Sequence, residues 1–253
     1  MPPDLPPLAP SPAPSPLPAD FSEKFNIDSC SVLRGPVRAG GCRVLMVLAH
    51  PATSSSRVHR RLVDAAAQID GVWVNDLYET YPDFYIDVAR ERKLIASAHT
   101  LLLVYPTQWY SCPALLKEWI DVVLGDAWQR DRFSTRGLPG NPAALRCWIV
   151  TSTGGAAADF APGRRHGRPF ADYLAPFEQM ARVCAMEWLE PLVLHGAHEV
   201  DSAAVDAHVT RFTADLQALA GIPYVQNEAA INLVNDPSGA SAPSLTGGAL
   251  HGI

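Results

Sequence analysis

The chain has 253 residues, 48% of them hydrophobic, which is enough for one α/β domain with a sizeable core plus tails. Its formal net charge of −6 argues against a general nucleic-acid binder with a basic face, yet leaves room for a small anionic ligand at a local site. No run of about 18 apolar residues occurs, so no membrane span is expected, and the N-terminus lacks the basic start and apolar stretch of a signal peptide.

Nine of the first eighteen residues are Pro, so residues 1–40 read as a disordered or polyproline-like extension. CRVLMVLAH, from Cys42, is a continuous apolar run of the kind that forms a fully buried parallel strand. Val58, Leu62, Ala66 and Ile69 then recur at helical spacing, with Ser54, Ser55 or Ser56 as the cap. Gly71 breaks that helix and VWVNDLY gives a second strand. A helix is expected over 87–98, a third buried strand at TLLLVYP, and a helix after Pro113 with Leu115, Leu116, Trp119, Ile120, Val123 and Leu124 on its apolar face. Residues 125–145 read as a loop. LRCWIVTST is the fourth strand, a helix spans about Phe170–Met186, PLVLH is the fifth strand, and Val205, Val209, Phe212, Leu216 and Leu219 mark the last helix. The tail 223–253 is expected to be flexible, which leaves 41–222 as the folded domain.

Strands alternating with helices argue for a parallel sheet with helices on both faces. In such a sheet ligands bind at the carboxyl ends of the strands, near the point where strand order reverses. Three loops therefore matter. The first, HPATSSSRVHR, offers hydroxyls and amides at a helix start, an anion-friendly arrangement, although an ordinary capped helix would look the same. No G-x-G-x-x-G follows the first strand and no G-x4-G-K-[ST] occurs anywhere, which disfavours Rossmann and Walker sites. The second, PTQWYSCP, places two aromatics where a planar ring could stack, the alternative being that Trp109 and Tyr110 pack on a neighbouring helix. The third, TSTGGAAADF, has two glycines that permit close backbone approach, a weak signal taken alone. The five cysteines, Cys30, Cys42, Cys112, Cys147 and Cys184, show no metal-knuckle spacing and read as reduced thiols of a cytoplasmic protein.

Taken together, VLAHP, LYETYPDFYID, PTQWYSCPALLKEWID, TSTGG and EWLEPLVLH make the chain resemble the flavodoxin-like NAD(P)H:quinone oxidoreductases over about residues 43–220. Within them it resembles the bacterial branch that serves as ancillary subunit of glutathione-regulated potassium efflux systems. The resemblance implies a three-layer flavodoxin-like α/β fold with a five-stranded parallel sheet of order 2-1-3-4-5. It implies FMN as cofactor, FAD being the alternative, and NAD(P)H as electron donor. Position by position, it assigns flavin binding to His50, Ser56, Arg57, Val58 and His59, to Thr107, Gln108, Trp109 and Tyr110, and to Ser152, Thr153, Gly154 and Gly155. His59 stands where the family usually has Asn, and Ala156–Ala158 stand where it has polar residues. Tyr110 and His166 are the candidates for polarising a quinone oxygen or donating a proton.

The implied activity is ping-pong hydride transfer from NAD(P)H to a quinone through the flavin. Arg164, Arg165 and Arg168 could attract the dinucleotide phosphates, the plainer alternative being a solvent-facing basic turn. Asp83 and Asp87 are expected to shape a loop against a partner subunit or the flavin edge, and His195 to be structural. The family is dimeric, so a homodimer is expected, and Trp109, Trp119 and Trp128 fit such an interface as well as they fit a core. A second reading is a regulatory module on a potassium efflux transporter, peripheral to the inner membrane. A third is a flavodoxin-type one-electron carrier, disfavoured by the three arginines. Neither a metal nor a nucleic acid is expected.

Overall fold

A computed structural model describes residues 33–34, 43–125 and 145–221. The elements run β1 (Leu33–Arg34), β2 (Val44–Leu48), α1 (His59–Ala66), β3 (Val72–Asp76), α2 (Leu77–Thr80), α3 (Val88–Ser97), β4 (Thr100–Pro106), α4 (Ala114–Val123), β5 (Arg146–Ser152), α5 (Ala171–Val183), β6 (Glu187–Trp188), β7 (Leu192–Leu194) and α6 (Ser202–Gly221). Most of the 1–40 extension and of the 125–145 loop, the 223–253 tail, and Cys30, Cys42 and Trp128 lie outside the described residues.

The central strands β2, β3, β4 and β5 pair in parallel in the spatial order β3-β2-β4-β5, which is the expected 2-1-3-4. Side chains alternate across a strand, so each strand feeds two cores. Leu45, Val47, Leu101, Leu103, Cys147 and Ile149 pack against Leu94 of α3, Leu116 and Trp119 of α4 and Phe177 of α5. Val44, Met46, Leu102, Val104, Trp148 and Val150 pack against Leu62 and Val63 of α1 and Phe212 and Leu216 of α6. Burial on both faces explains why these strands read as unbroken apolar runs. Trp148 stacks on Phe212 at 5.8 Å and 16°. Cys112, Cys147 and Cys184 are buried, and burial pushes the Cys147 thiol up to about 12.

Two features depart from the expected five strands. The fifth is split into β6 and β7, both parallel to β5. Cys147 pairs with Trp188 and Val150 with Leu192, so three steps along β5 match four along its neighbour. That extra residue is a bulge, and it falls beside Pro191, which has no N–H to give the ladder. In addition, β1 adds an antiparallel edge to β3, with Leu33 opposite Asn75.

A buried carboxylate ties the helical layer to the sheet. Glu91 of α3 is 0% exposed. It accepts from Asn75 Nδ2 (2.8 Å), Tyr81 Oη (2.7 Å), Trp119 Nε1 (2.8 Å) and the neighbouring Arg90 guanidinium. Four donors are what lets a carboxylate sit there at all. The motifs YETYPDFYID and PTQWYSCPALLKEWID, remote in sequence, meet at this one side chain through Tyr81 and Trp119. Asp87 caps α3 by accepting from the Arg90 amide at 2.9 Å, and Asp83 accepts from the Tyr85 amide at 3.1 Å. Both aspartates thus hold their own loop in shape.

Candidate active-site cleft

Leu48 of β2 is paired with Val104 of β4, and Pro106 of β4 with Ser152 of β5, so the three ligand-suited loops leave adjacent strands at one edge of the sheet. With strands about 5 Å apart, they lie within one small ligand's reach of each other.

The first loop is wired from within. The N-cap position of α1 is Val58 and not one of the three serines, but Ser56 Oγ accepts from the His59 amide at 3.0 Å just ahead of the helix and also meets His59 Nδ1 at 3.3 Å. Val58 and His59 are buried, so their side chains belong to the core beneath the loop. The His50 and His59 rings lie 4.8 Å apart. Burial, then the charge of His50, holds His59 down at about 3, so its imidazole is neutral at ordinary pH. Burial also lowers His50. Arg57 is exposed and its guanidinium donates to the Val200 carbonyl at 3.2 Å. Among the described residues nothing accepts from the amides of Arg57 and Val58, and these stand at the start of α1, where the helix dipole favours an anion.

The second loop turns back on itself. Gln108 and Ser111 exchange backbone hydrogen bonds at 2.9 and 3.0 Å around Trp109 and Tyr110, whose φ values are 47° and 64°. Two successive left-handed residues make this a type I′ turn, normally built from Asn or Gly. For bulky aromatics that backbone costs roughly 1–2 kcal/mol each. Trp109 is 94% exposed, so for that residue the helix-packing alternative fails. Tyr110, 43% exposed, does stack on Tyr173 of α5, at 4.9 Å and 27°. The Thr107 amide is committed to Ser152 and the Gln108 amide to Ser111, which leaves the amides of Trp109 and Tyr110 free among the described residues.

The third loop lies opposite. Ser152 and Thr153 are buried, and Thr153 Oγ1 donates to Gly155 O at 2.8 Å and meets His195 Nδ1 at 3.0 Å. His195, lowered by burial, sits between Phe160 and Phe170 as a support beneath the turn. The Gly154 and Gly155 amides have no partner among the described residues. Gly155 leaves room for the His166 ring. A Cβ there would come closer than 3.0 Å to His166 Nε2 and within 3.4 Å of Phe160.

These last two loops and the segment around His166 enclose a cleft of about 330 Å³ lined by Thr107, Trp109, Tyr110, Thr153, Gly154 and Gly155, and by Phe160, Arg165 and His166 on its far side. His166 is no free solvated side chain. Its ring stacks on Phe160 at 4.2 Å and 19°, and its Nδ1 lies 3.3 Å from Tyr110 Oη. Gln108, Ser152 and the first-loop residues do not line this cleft. Sequence reasoning missed Phe160, which carries the His166 ring, and Asp159 and Glu199, two carboxylates at the cleft wall. Free amides, an exposed aromatic and a glycine wall together suit a planar, phosphate-bearing ring system such as a flavin nucleotide.

The model of the family described as "Flavodoxin-like fold" matches residues 42–217. The chain belongs to that family. It is 36% identical over 171 residues to the glutathione-regulated potassium-efflux system ancillary protein KefG of Serratia proteamaculans (strain 568), which covers 67% of this chain and 90% of the relative. Among solved structures it is similar to general stress protein 14 of Treponema denticola in complex with FMN, with 35% identity, a TM-score of 0.60, and 70% and 99% of the two chains covered. It also shares its fold with an NADPH-quinone reductase from P. pentosaceus, at 24% identity and a TM-score of 0.58, with 69% and 97% covered. No described helix is long and apolar enough to cross a membrane.

Proposed function

We propose that the chain binds FMN along these three loops and passes hydride from NAD(P)H to a quinone-type acceptor in alternating half-reactions. The observation that carries this reading is the cleft in which Tyr110, His166 and the free Gly154–Gly155 amides converge. The FMN-bound relative and the quinone reductase of the same fold support it. Bound FMN supplies the two-electron chemistry. The chain's own groups do the rest. Amides of Arg57 and Val58 and the Ser56 hydroxyl hold the phosphate at the start of α1. Trp109 would cover the ring system, and the unpartnered Gly154 and Gly155 amides would donate hydrogen bonds to it. His166 and Tyr110, a hydrogen-bonded pair, hold a proton at the acceptor oxygen. Arg165, at the cleft wall, attracts the donor's phosphates. The test is steady-state kinetics with FMN, NAD(P)H and a soluble quinone. Parallel double-reciprocal lines are expected, and converging lines would contradict alternating occupancy of one face.

The likeness to KefG favours a second role beside the first, as ancillary subunit of a potassium efflux transporter at the inner face of the membrane. Exposed Phe84 and Tyr85 on the YPDFYID loop offer an apolar surface for a second copy of the chain, so the working unit we propose is a homodimer. Co-purification with the transporter and size measurement in solution test these two points separately.

A further inference from the structure

We propose that Tyr173 is the positioning residue of the Tyr110–His166 pair, holding both members of the acceptor side at once. The proposal goes beyond the reading above and rests on it only for the word "acceptor".

Tyr173 lies in the first turn of α5, half-buried, and touches the pair in two ways. Its phenol donates to the backbone carbonyl of His166 at 2.7 Å. Its ring stacks on Tyr110 at 4.9 Å and 27°. The same ring meets Phe160 edge-on at 6.2 Å and 75°, and Phe160 is the surface on which His166 stacks. Three aromatic side chains and the imidazole therefore form one packed group, and Tyr173 is the member that belongs to a long helix.

The two groups it holds both need holding. Tyr110 has a left-handed backbone, which persists only when its surroundings over-determine it. His166 sits in GRRHGRP, between Gly163 and Gly167, whose φ values are 75° and 72° and which have open space where a side chain would stand. Arg164, Arg165 and Arg168 around it are exposed. The segment is pinned at His166 itself. Its amide donates to Asp159 O at 3.0 Å, its carbonyl accepts from Tyr173, and its ring is held by Phe160 and Tyr110. Without the Tyr173 hydroxyl the carbonyl pin is gone while the Tyr110 stack remains. Without the ring, both are gone.

The experiment uses the full chain and the variants Tyr173→Phe and Tyr173→Leu, with trypsin well below the melting temperature of each. Mass spectrometry follows the Arg164–Arg165 and Arg165–His166 bonds alone. A net hydrogen bond lost from the pin corresponds to roughly five- to tenfold faster cleavage in Tyr173→Phe, and more in Tyr173→Leu. Unchanged cleavage in both overturns the pin. This arm needs neither flavin nor NAD(P)H, so it stands whether or not the proposed reaction is correct. In the second arm Tyr173→Phe is expected to retain FMN affinity within about twofold while quinone kcat falls about tenfold at little-changed NAD(P)H KM. Faster cleavage with unchanged kcat would overturn the positioning role. A wild-type protein that binds FMN yet reduces no quinone would overturn the proposed function and leave the pin to the first arm.

Discussion

Gly155 lies against the His166 imidazole, so close that a Cβ there would have to displace the ring. Its backbone is not left-handed, so a substitution there is opposed by packing and not by conformation. Gly155→Ala is expected to displace the ring or the segment carrying it, at an overpacking cost of about 1–3 kcal/mol. Urea denaturation should show that loss. Quinone turnover should fall more than FMN affinity if His166 holds the acceptor as proposed. Wild-type stability and turnover in the variant would mean that His166 does not occupy this place.

Trp109 shows the opposite balance. Its side chain is almost wholly exposed and its φ is 47°. Trp109→Gly removes the left-handed penalty and is expected to stabilise the apo protein by up to about 1 kcal/mol, less whatever glycine gains in the unfolded chain. If Trp109 covers FMN as proposed, the same variant should retain the flavin more weakly. Stability measured by thermal melting and FMN affinity measured by fluorescence should move in opposite directions. Unchanged FMN affinity would contradict the stacking role.

Glu91 is a different kind of residue, remote from the cleft and fully buried. Glu91→Ala removes the acceptor of Asn75, Tyr81, Trp119 and Arg90 together, and a loss of about 3–5 kcal/mol is expected. Trp119→Phe removes a single donor and should cost about 1–3 kcal/mol. Denaturant midpoints check both.

His59 gives the protein an acid sensitivity of known sign. Its folded-state pKa is about 3, below the ordinary 6.5. The unfolded chain therefore binds the proton first, and stability that is full above pH 6.5 falls as pH drops toward 3. Between pH 7.5 and 5 this amounts to about 2 kcal/mol. His50 and His208, also lowered by burial, add to it in the same direction. His59→Asn should lose stability less steeply than wild type over that range. Parallel curves of stability against pH would contradict it.

Much of this was legible in the sequence. Continuous apolar runs gave β2, β4 and β5 because both faces of each are covered, and the two long motifs gave the loops of the cleft. The rest depended on relations that spacing does not encode. The split fifth strand comes from one extra residue beside Pro191, which is a matter of register. The burial of Glu91 has one signal in the sequence, its place with Leu94 and Ile95 on the apolar side of α3. Phe160 and Tyr173 carry no signal in the sequence, because what marks them is contact with His166, and a sequence shows no partners. Trp109 could not be told from core by composition. The type I′ turn exposes it.

The most direct measurement is flavin binding by the purified full chain. The protein is incubated with FMN, freed of unbound ligand, and its visible absorbance is compared with that of a Trp109→Ala/Tyr110→Ala variant. Yellow protein carrying stoichiometric FMN, with clearly less on the variant, is the expected result. A chain that stays colourless after both FMN and FAD would contradict the flavin site, and with it the proposed reaction.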